Sequence, residues 1–366
     1  MNTTFELNNI RRDADLFDGK FNKTSPIVEV FSAMVNGESL EKFGAKGDKA
    51  VAYIKELGVR AENGDAMAAC ELNELRRFIV EEPVLEAAKL FSVFGTYTAV
   101  GLNESVEREV YTVAGELSRI QANNGDTIFP VPLTEKYPVP TFTVSSGYII
   151  DYRRIALGDM ARENEGINLI KTDIFNRAYA AILKKIYLAV KNTPNPKLFH
   201  EAAGLTKTGV DAVLNGVRRH GRPTVFGDYA ILSQFTPWAG YVGTINSTTV
   251  SSVSQNVLDT LARDGLLAQY NGAILSEVRN PYNHYQLNAD ATDYMPVMPA
   301  GVGVVVPAGG NSPIATWTKG GLTSLTGNDV KTGHVVTRFD LEVAADIAKG
   351  REHEIGVIND TNIAGL

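Results

Sequence analysis

A chain of 366 residues with a formal net charge of −7, 44% hydrophobic and 21% charged residues, can build a real core. Its acidic balance argues against non-specific nucleic-acid binding as the main activity. One cysteine, Cys70, excludes an internal disulfide framework and fits a reducing compartment, and no apolar run reaches the length of a membrane span.

Residues 1–26 are polar, with Arg11, Arg12, Asp13, Asp15 and Asp18 close together, and end at Ser25-Pro26. They read as an extended arm of the kind ordered against a neighbour, and they lack the pattern of a signal peptide. Residues 27–115 read as a helical segment. SLEKF, DKAVAYIKELGV, DAMAACELNELRRFIV and VLEAAKLFSVFGTY carry three-and-four apolar spacing, separated by Gly58, Asn63-Gly64 and Pro83. Glu71, Glu74, Arg76, Arg77, Glu81 and Glu82 predict a solvated face, and Cys70 is expected to be a buried structural thiol.

The texture changes after Asn124-Gly125. Residues 116–158 are rich in β-branched and aromatic residues and carry prolines at 130, 132, 138 and 140, too many for a central strand. They read as a long two-stranded loop with Thr134-Glu135-Lys136 near its tip, marginal alone and expected to lie on something else.

Residues 159–196 contain the longest helical signal. Apolar residues at Ile167, Ile170, Ile174, Ala178, Ala181, Ile182, Ile186 and Ala189 fall on one face from Asp159 to Lys191, and Asn-Thr-Pro-Asn-Pro ends the run. At ~1.5 Å per residue this is a rod of roughly 45–50 Å.

Residues 197–329 read as an α/β region. AGLTKTGVDAVLNGVRRHG is a helix closed by Gly221, and GRPTVFGDYAILSQF is a strand and a helix. A serine-capped helix leads from Ser251-Ser252 into the strand GAILSEV, Asn280 to Asn283 form a turn, and MPAGVGVVVPAGG is a buried-type strand. AGGNSPIATWTKGG reads as loop. In 330–366, His334, Val336, Arg338, Asp340 and Glu342 alternate with Val335, Thr337, Phe339, Leu341 and Val343. This predicts two antiparallel strands joined near Lys349-Gly350-Arg351.

Catalytic spacings are missing from the sequence. It holds no Gly-x4-Gly-Lys-Ser/Thr and no Gly-x-Ser-x-Gly, and Gly301-Val302-Gly303 leads into valines instead of a helix. The histidines at 200, 220, 284, 334 and 353 show no ligand spacing. On a strand, His353 would point away from Glu352 and Glu354, so no metal site is expected there. Asp151 and Asp159 read as helix caps or ion-pair partners. Arg153 and Arg154 are either ordinary salt-bridge donors or contacts to another subunit. An enzyme would have to use Asp228, Tyr229, His284 and Tyr285, which share no recognisable spacing.

The order of these parts is specific: polar arm, helical segment, β-loop, long helix, α/β region and return strands. It resembles the major capsid proteins of tailed double-stranded DNA bacteriophages with the Hong Kong 97-like fold, an α+β class. Residues 126–192 resemble that family's E-loop running into its spine helix, 197–325 its A-domain, and 330–358 its P-domain strands. TVFGDYAILSQF and ILSEVRNPYN are similar in character. The resemblance implies a non-enzymatic shell protein without a cofactor. It assembles through hexamers and pentamers into an icosahedral head in the host bacterial cytoplasm and encloses double-stranded DNA in the virion. Lys136, Arg153 and Arg154 are then candidate intersubunit contacts, and scaffold, portal or decoration proteins are candidate partners. Some family members cross-link a lysine to an asparagine, but Lys136 and Asn359 match no such motif. The helical segment departs from the simplest family pattern. An encapsulin-like bacterial nanocompartment stays open as an alternative, as does a small-molecule α/β enzyme.

Overall fold

The apolar spacing of the N-terminal third becomes three helices in the computed structural model. It describes residues 26–113, 129, 131–150, 155, 157, 161–194, 198–238, 241–245, 248–252, 266–288, 291–308, 312–328 and 335–363. The predicted arm therefore lies outside the described residues. The chain divides into two units. One comprises Met1–Leu90, Phe142–Phe175 and Thr318–Val343, and the other Phe91–Thr141, Asn176–Trp317 and Ala344–Leu366.

In the first unit, α1 (Pro26–Asn36) starts on a proline, whose missing N–H costs nothing at a helix N-terminus. It buries Ile27, Val30 and Phe31. Helix α2 (Gly44–Glu62) buries Ala50, Ile54, Leu57 and Ala61, a single face, and stops before Gly64 at φ +90°. Asp65 then accepts from the backbone N–H groups of Met67 and Ala68 and starts α3 (Ala66–Ala88), which runs through Pro83. Two expectations fail on α3. Cys70 is exposed, and the supposed solvated face sinks Arg76 and Glu81. The reason is a polar seam against two strands, β4 (Phe142–Ile150) and β15 (Val335–Ile347). Arg76 donates to Asn73 Oδ1 at 3.0 Å and lies 6.0 Å from the Tyr148 ring centroid. Thr337 donates to the same oxygen at 3.3 Å.

Strand β15 shows the predicted alternation: Thr337, Phe339, Leu341 and Val343 are buried, while Val336 and Arg338 are exposed. Its antiparallel partner is β4, from Val335↔Ile150 to Val343↔Phe142. A four-stranded sheet runs β1 (Thr96–Val100), β14 (Ile314–Asn328), β15, β4. Strand β14 corrects the reading of 308–321 as loop. Ile314 to Thr318 are all buried, so no alternation was there to see, and Gly320-Gly321 imitated a turn.

The long helix is α4 (Ala161–Asn192), and it belongs to both units. Ile167, Ile170, Ile174, Ala178, Ile182 and Ile186 are buried as predicted. Tyr179, Leu183, Tyr187 and Val190 join the stripe, whereas Ala181 and Ala189 are only half-buried. Tyr179 packs 4.8 Å from the Phe94 ring and Tyr187 5.6 Å from that of Phe199.

The second unit is built on a six-stranded sheet. In chain order its members are β5 (Leu198–Ala202), β6 (Arg222–Gly227), β9 (Gln269–Tyr270), β10 (Ala273–Glu277), β13 (Val302–Ala308) and β16 (Gly356–Asp360), and their spatial order is β5-β16-β13-β6-β10-β9. The predicted partner of β16 was the preceding strand. Instead β16 pairs antiparallel with β13 and parallel with β5, and all five of its residues are buried. Helix α5 (Lys207–Arg218), capped by Thr206, places Val210, Val213, Leu214 and Val217 on the sheet. A Cβ on Gly356 would meet Val213 Cγ1 at 2.4 Å, so only glycine lets the helix lie this close. A one-turn helix α6 (Tyr229–Leu232) follows β6. The unit also holds two short ladders, β7 (Tyr241–Ile245) with β8 (Thr248–Ser252), and β11 (Tyr282–Leu287) with β12 (Tyr294–Pro296). Ser251 and Ser252 thus end a strand, the helix expected after them falls outside the described residues, and the predicted turn at 280–283 already starts β11.

Candidate functional site

The predicted two-stranded loop exists with a different partner. Strand β3 (Pro132–Pro138) pairs antiparallel with β2 (Glu107–Val113), from Glu107↔Pro138 to Val113↔Pro132, so 107–113 is a strand and not part of the predicted helical segment. Among the described residues the ladder has two strands, and the prolines of β3 stand at its two ends.

Alternation along β2 divides the ladder into two faces. Arg108 and Val110 point inward with 9% and 6% exposure, while Glu107, Glu109 and Tyr111 face out. Lys136, expected near the tip, lies mid-strand opposite Glu109 and forms an ion pair with Glu107. That shared hydrogen bond is the main reason the Glu107 carboxyl is lowered and the Lys136 ammonium raised from their ordinary values. The other two contact candidates, Arg153 and Arg154, lie outside the described residues.

The base of the ladder is locked. The Arg108 guanidinium donates to the Asp346 carbonyl at 2.7 Å, to its carboxylate at 3.4 Å, and to the Pro313 carbonyl at 2.8 Å. The Tyr137 hydroxyl donates to the same carboxylate at 2.7 Å. Burial and then that bond push its pKa up to about 12. Lys349 holds Glu135 at 2.7 Å with its ammonium 4.3 Å from the Tyr137 ring centroid. Val106, Val139, Ala315, Trp317 and Ala344 close an apolar plug beneath. No sequence signal marked Arg108, because an inward arginine hides the alternation that reveals a strand.

The other end of the ladder is the reverse. Tyr111, Leu133, Val131 and Phe129 are 72%, 53%, 68% and 86% exposed. Leu133, paired with Thr112, shares the face of Val110 and Tyr111 lies on the other, so this end of the ladder exposes large apolar side chains on both faces. A second exposed aromatic group sits on the β11–β12 ladder, where Tyr282, Leu287 and Tyr294 are 56%, 48% and 44% exposed. Its base is clipped by reciprocal bonds between the Asn280 side chain and the Met298 backbone, both 2.9 Å.

The enzyme candidates do not converge into a described site. Asp228 is the N-cap of α6, accepting from Ala230 N at 2.7 Å, and Tyr229 is half exposed. His284 and Tyr285 lie on β11, and their side chains are outside what is described. Asn359 is enclosed in β16 with 5% exposure and donates to Glu201.

Residues 6–359 match the family described as "SPbeta prophage-derived putative capsid protein YonB". The chain belongs to this capsid family. A member of it is a shell protein, its partner is itself, and its place is the virus particle. Among the described residues no helix is long and apolar enough to cross a membrane. No match to a curated protein sequence was found. Among solved structures the family member is similar to the mature capsid of bacteriophage PhiM1, at 12% identity and a TM-score of 0.44, covering 74% of this chain and 86% of that one. It is also similar to a virus-like particle from Pyrococcus furiosus (9%, 0.42, covering 76% and 97%). The SrpI encapsulin complex from Synechococcus elongatus gives 9% and 0.40, covering 75% and 87%.

Proposed function

We propose that the chain is the major capsid protein of a tailed double-stranded DNA phage, a Hong Kong 97-like tile that forms hexamers and pentamers of an icosahedral head. The observation that carries this reading, beside the family, is the β2–β3 ladder: fixed at its base and apolar at its open end. A second copy is the natural cover for such an end, and head-to-tail contacts of this kind close into rings. In this reading the ladder is the E-loop and α4 the spine. Residues 197–329 are the A-domain and 330–366 the P-domain return strands, while 1–26 is an arm laid on a neighbour. Lys136, Arg153 and Arg154 sit at the intersubunit seams. The acidic chain contains DNA without gripping it, and scaffold, portal and decoration proteins are its further partners during assembly in the host cytoplasm.

The helical segment is part of the finished tile. The buried seam of Arg76, Asn73, Thr337 and Tyr148 supports this, since removing α3 would leave Thr337 and Tyr148 uncovered.

Sedimentation and electron microscopy of the expressed chain test the proposal. Rings or closed shells are expected, with a nucleic-acid absorbance ratio in particles purified from phage. Shells that hold protein cargo without nucleic acid would mark a compartment instead. A stable monomer at high concentration contradicts the reading. Ile174 is fully buried, so Ile174→Asp should abolish particles in the same assay.

A further inference from the structure

Residues 352–354, expected on a strand, form a single 3-10 turn between β15 and β16. The altered geometry changes what His353 can reach. Its ring stands edge-on to that of His220, with centroids 5.2 Å apart and an interplanar angle of 72°. His220 follows the C-terminal end of α5 and donates its backbone N–H to the Val217 carbonyl at 2.9 Å. The Glu354 carboxylate completes the group: one ligand atom from each of His220, His353 and Glu354 lies within 4.8 Å of the others. All three residues belong to the second unit.

We infer that His220, His353 and Glu354 form a binding site for a late first-row divalent cation such as Zn2+. The donor set is two imidazole nitrogens and one carboxylate oxygen, which suits such ions and leaves a fourth position for water. Bonds of about 2.0–2.1 Å require the donors to draw somewhat closer, which rotation of exposed and half-buried side chains allows. The backbones beneath are already held in place. Gly356, two residues after Glu354, lies flush against Val213 and Val217 of α5, so the helix end and the turn cannot drift apart. The carbonyl end of α5 also favours a cation at His220.

One neighbour opposes the ion. Arg351 holds both Glu354 oxygens, at 2.8 and 2.7 Å, so a metal must share or displace that pairing. The proposed ion would brace α5 to the turn entering β16, and so stabilise the second unit in proportion to the metal present.

Titration of the full-length chain with Zn2+, followed by calorimetry and by the thermal midpoint, tests the site. One ion per chain and a raised midpoint are expected. His220→Gln and His353→Gln should each weaken binding by roughly tenfold or more, because losing a ligand costs at least as much as losing a supporting residue. Arg351→Gln should tighten it by releasing Glu354, an effect that a histidine remote from this site could not show. Zn2+ affinity unchanged in both histidine variants would overturn the proposal, as would failure to bind Zn2+ at all. Circular dichroism of each variant separates loss of the site from loss of the fold.

Discussion

The six-stranded sheet and the β2–β3 ladder solve opposite problems with the same kind of strand. In the sheet, β16 is flanked on both sides, all five of its residues are buried, and α5 covers one face. Among the described residues the ladder has two strands, a base enclosed by Arg108, Tyr137 and Asp346, and an end that leaves Phe129 86% exposed. One region is finished within a single chain, and on the proposed reading the other is finished by another molecule. The proposed contrast is energetic: burial that stabilises the sheet in a monomer would come to the ladder with assembly.

Substitutions should therefore separate folding from assembly. The largest effect on folding is expected at Ile358, fully buried in the sheet core. Ile358→Ala should cost about 3–4 kcal/mol in urea unfolding of the unassembled chain. Asp360 comes next. Burial alone would raise its carboxyl, but bonds from Asn362 N, Gln234 and Gly204 N outweigh that and hold it below its ordinary 3.8. Asp360→Ala should cost about 2–3 kcal/mol at neutral pH. Because the folded-state pKa is the lower one, this contribution is fully present above the unfolded-state value and fades as pH falls through the folded-state value. The difference between wild type and variant should thus shrink below about pH 4.

Arg108→Met tests the lock, with an expected loss of about 2 kcal/mol and faster protease nicking of the ladder. Leu133→Asp should do least to folding, within about 0.5 kcal/mol, yet abolish shells in sedimentation. A large loss of monomer stability in Leu133→Asp would mean that the ladder's end is covered within its own chain.

The same contrast explains what could be read in the sequence. Helix α4 was legible because Ile167, Ile170, Ile174, Ala178, Ile182 and Ile186 repeat at helical spacing, and β15 because one face is wet. Strand β14 was not, since a strand buried on both sides carries no alternation. Alternation also says which way a side chain points, not which strand lies beside it, so β16 was given the wrong neighbour. Strand β2 was hidden by Arg108, a charge at an inward position whose partners, Asp346 and Pro313, lie more than two hundred residues away. The proposed ligand group at His220, His353 and Glu354 was invisible for a similar reason. It depends on a 3-10 turn and on a contact between distant segments.

The central claim is that a second copy covers the open end of the β2–β3 ladder. Hydrogen–deuterium exchange of β3, compared between unassembled chain and assembled particles, tests it most directly. Assembly should slow exchange in β3 while leaving β16 unchanged, because β16 is already protected in the monomer. Equal exchange of β3 in both states would contradict the account.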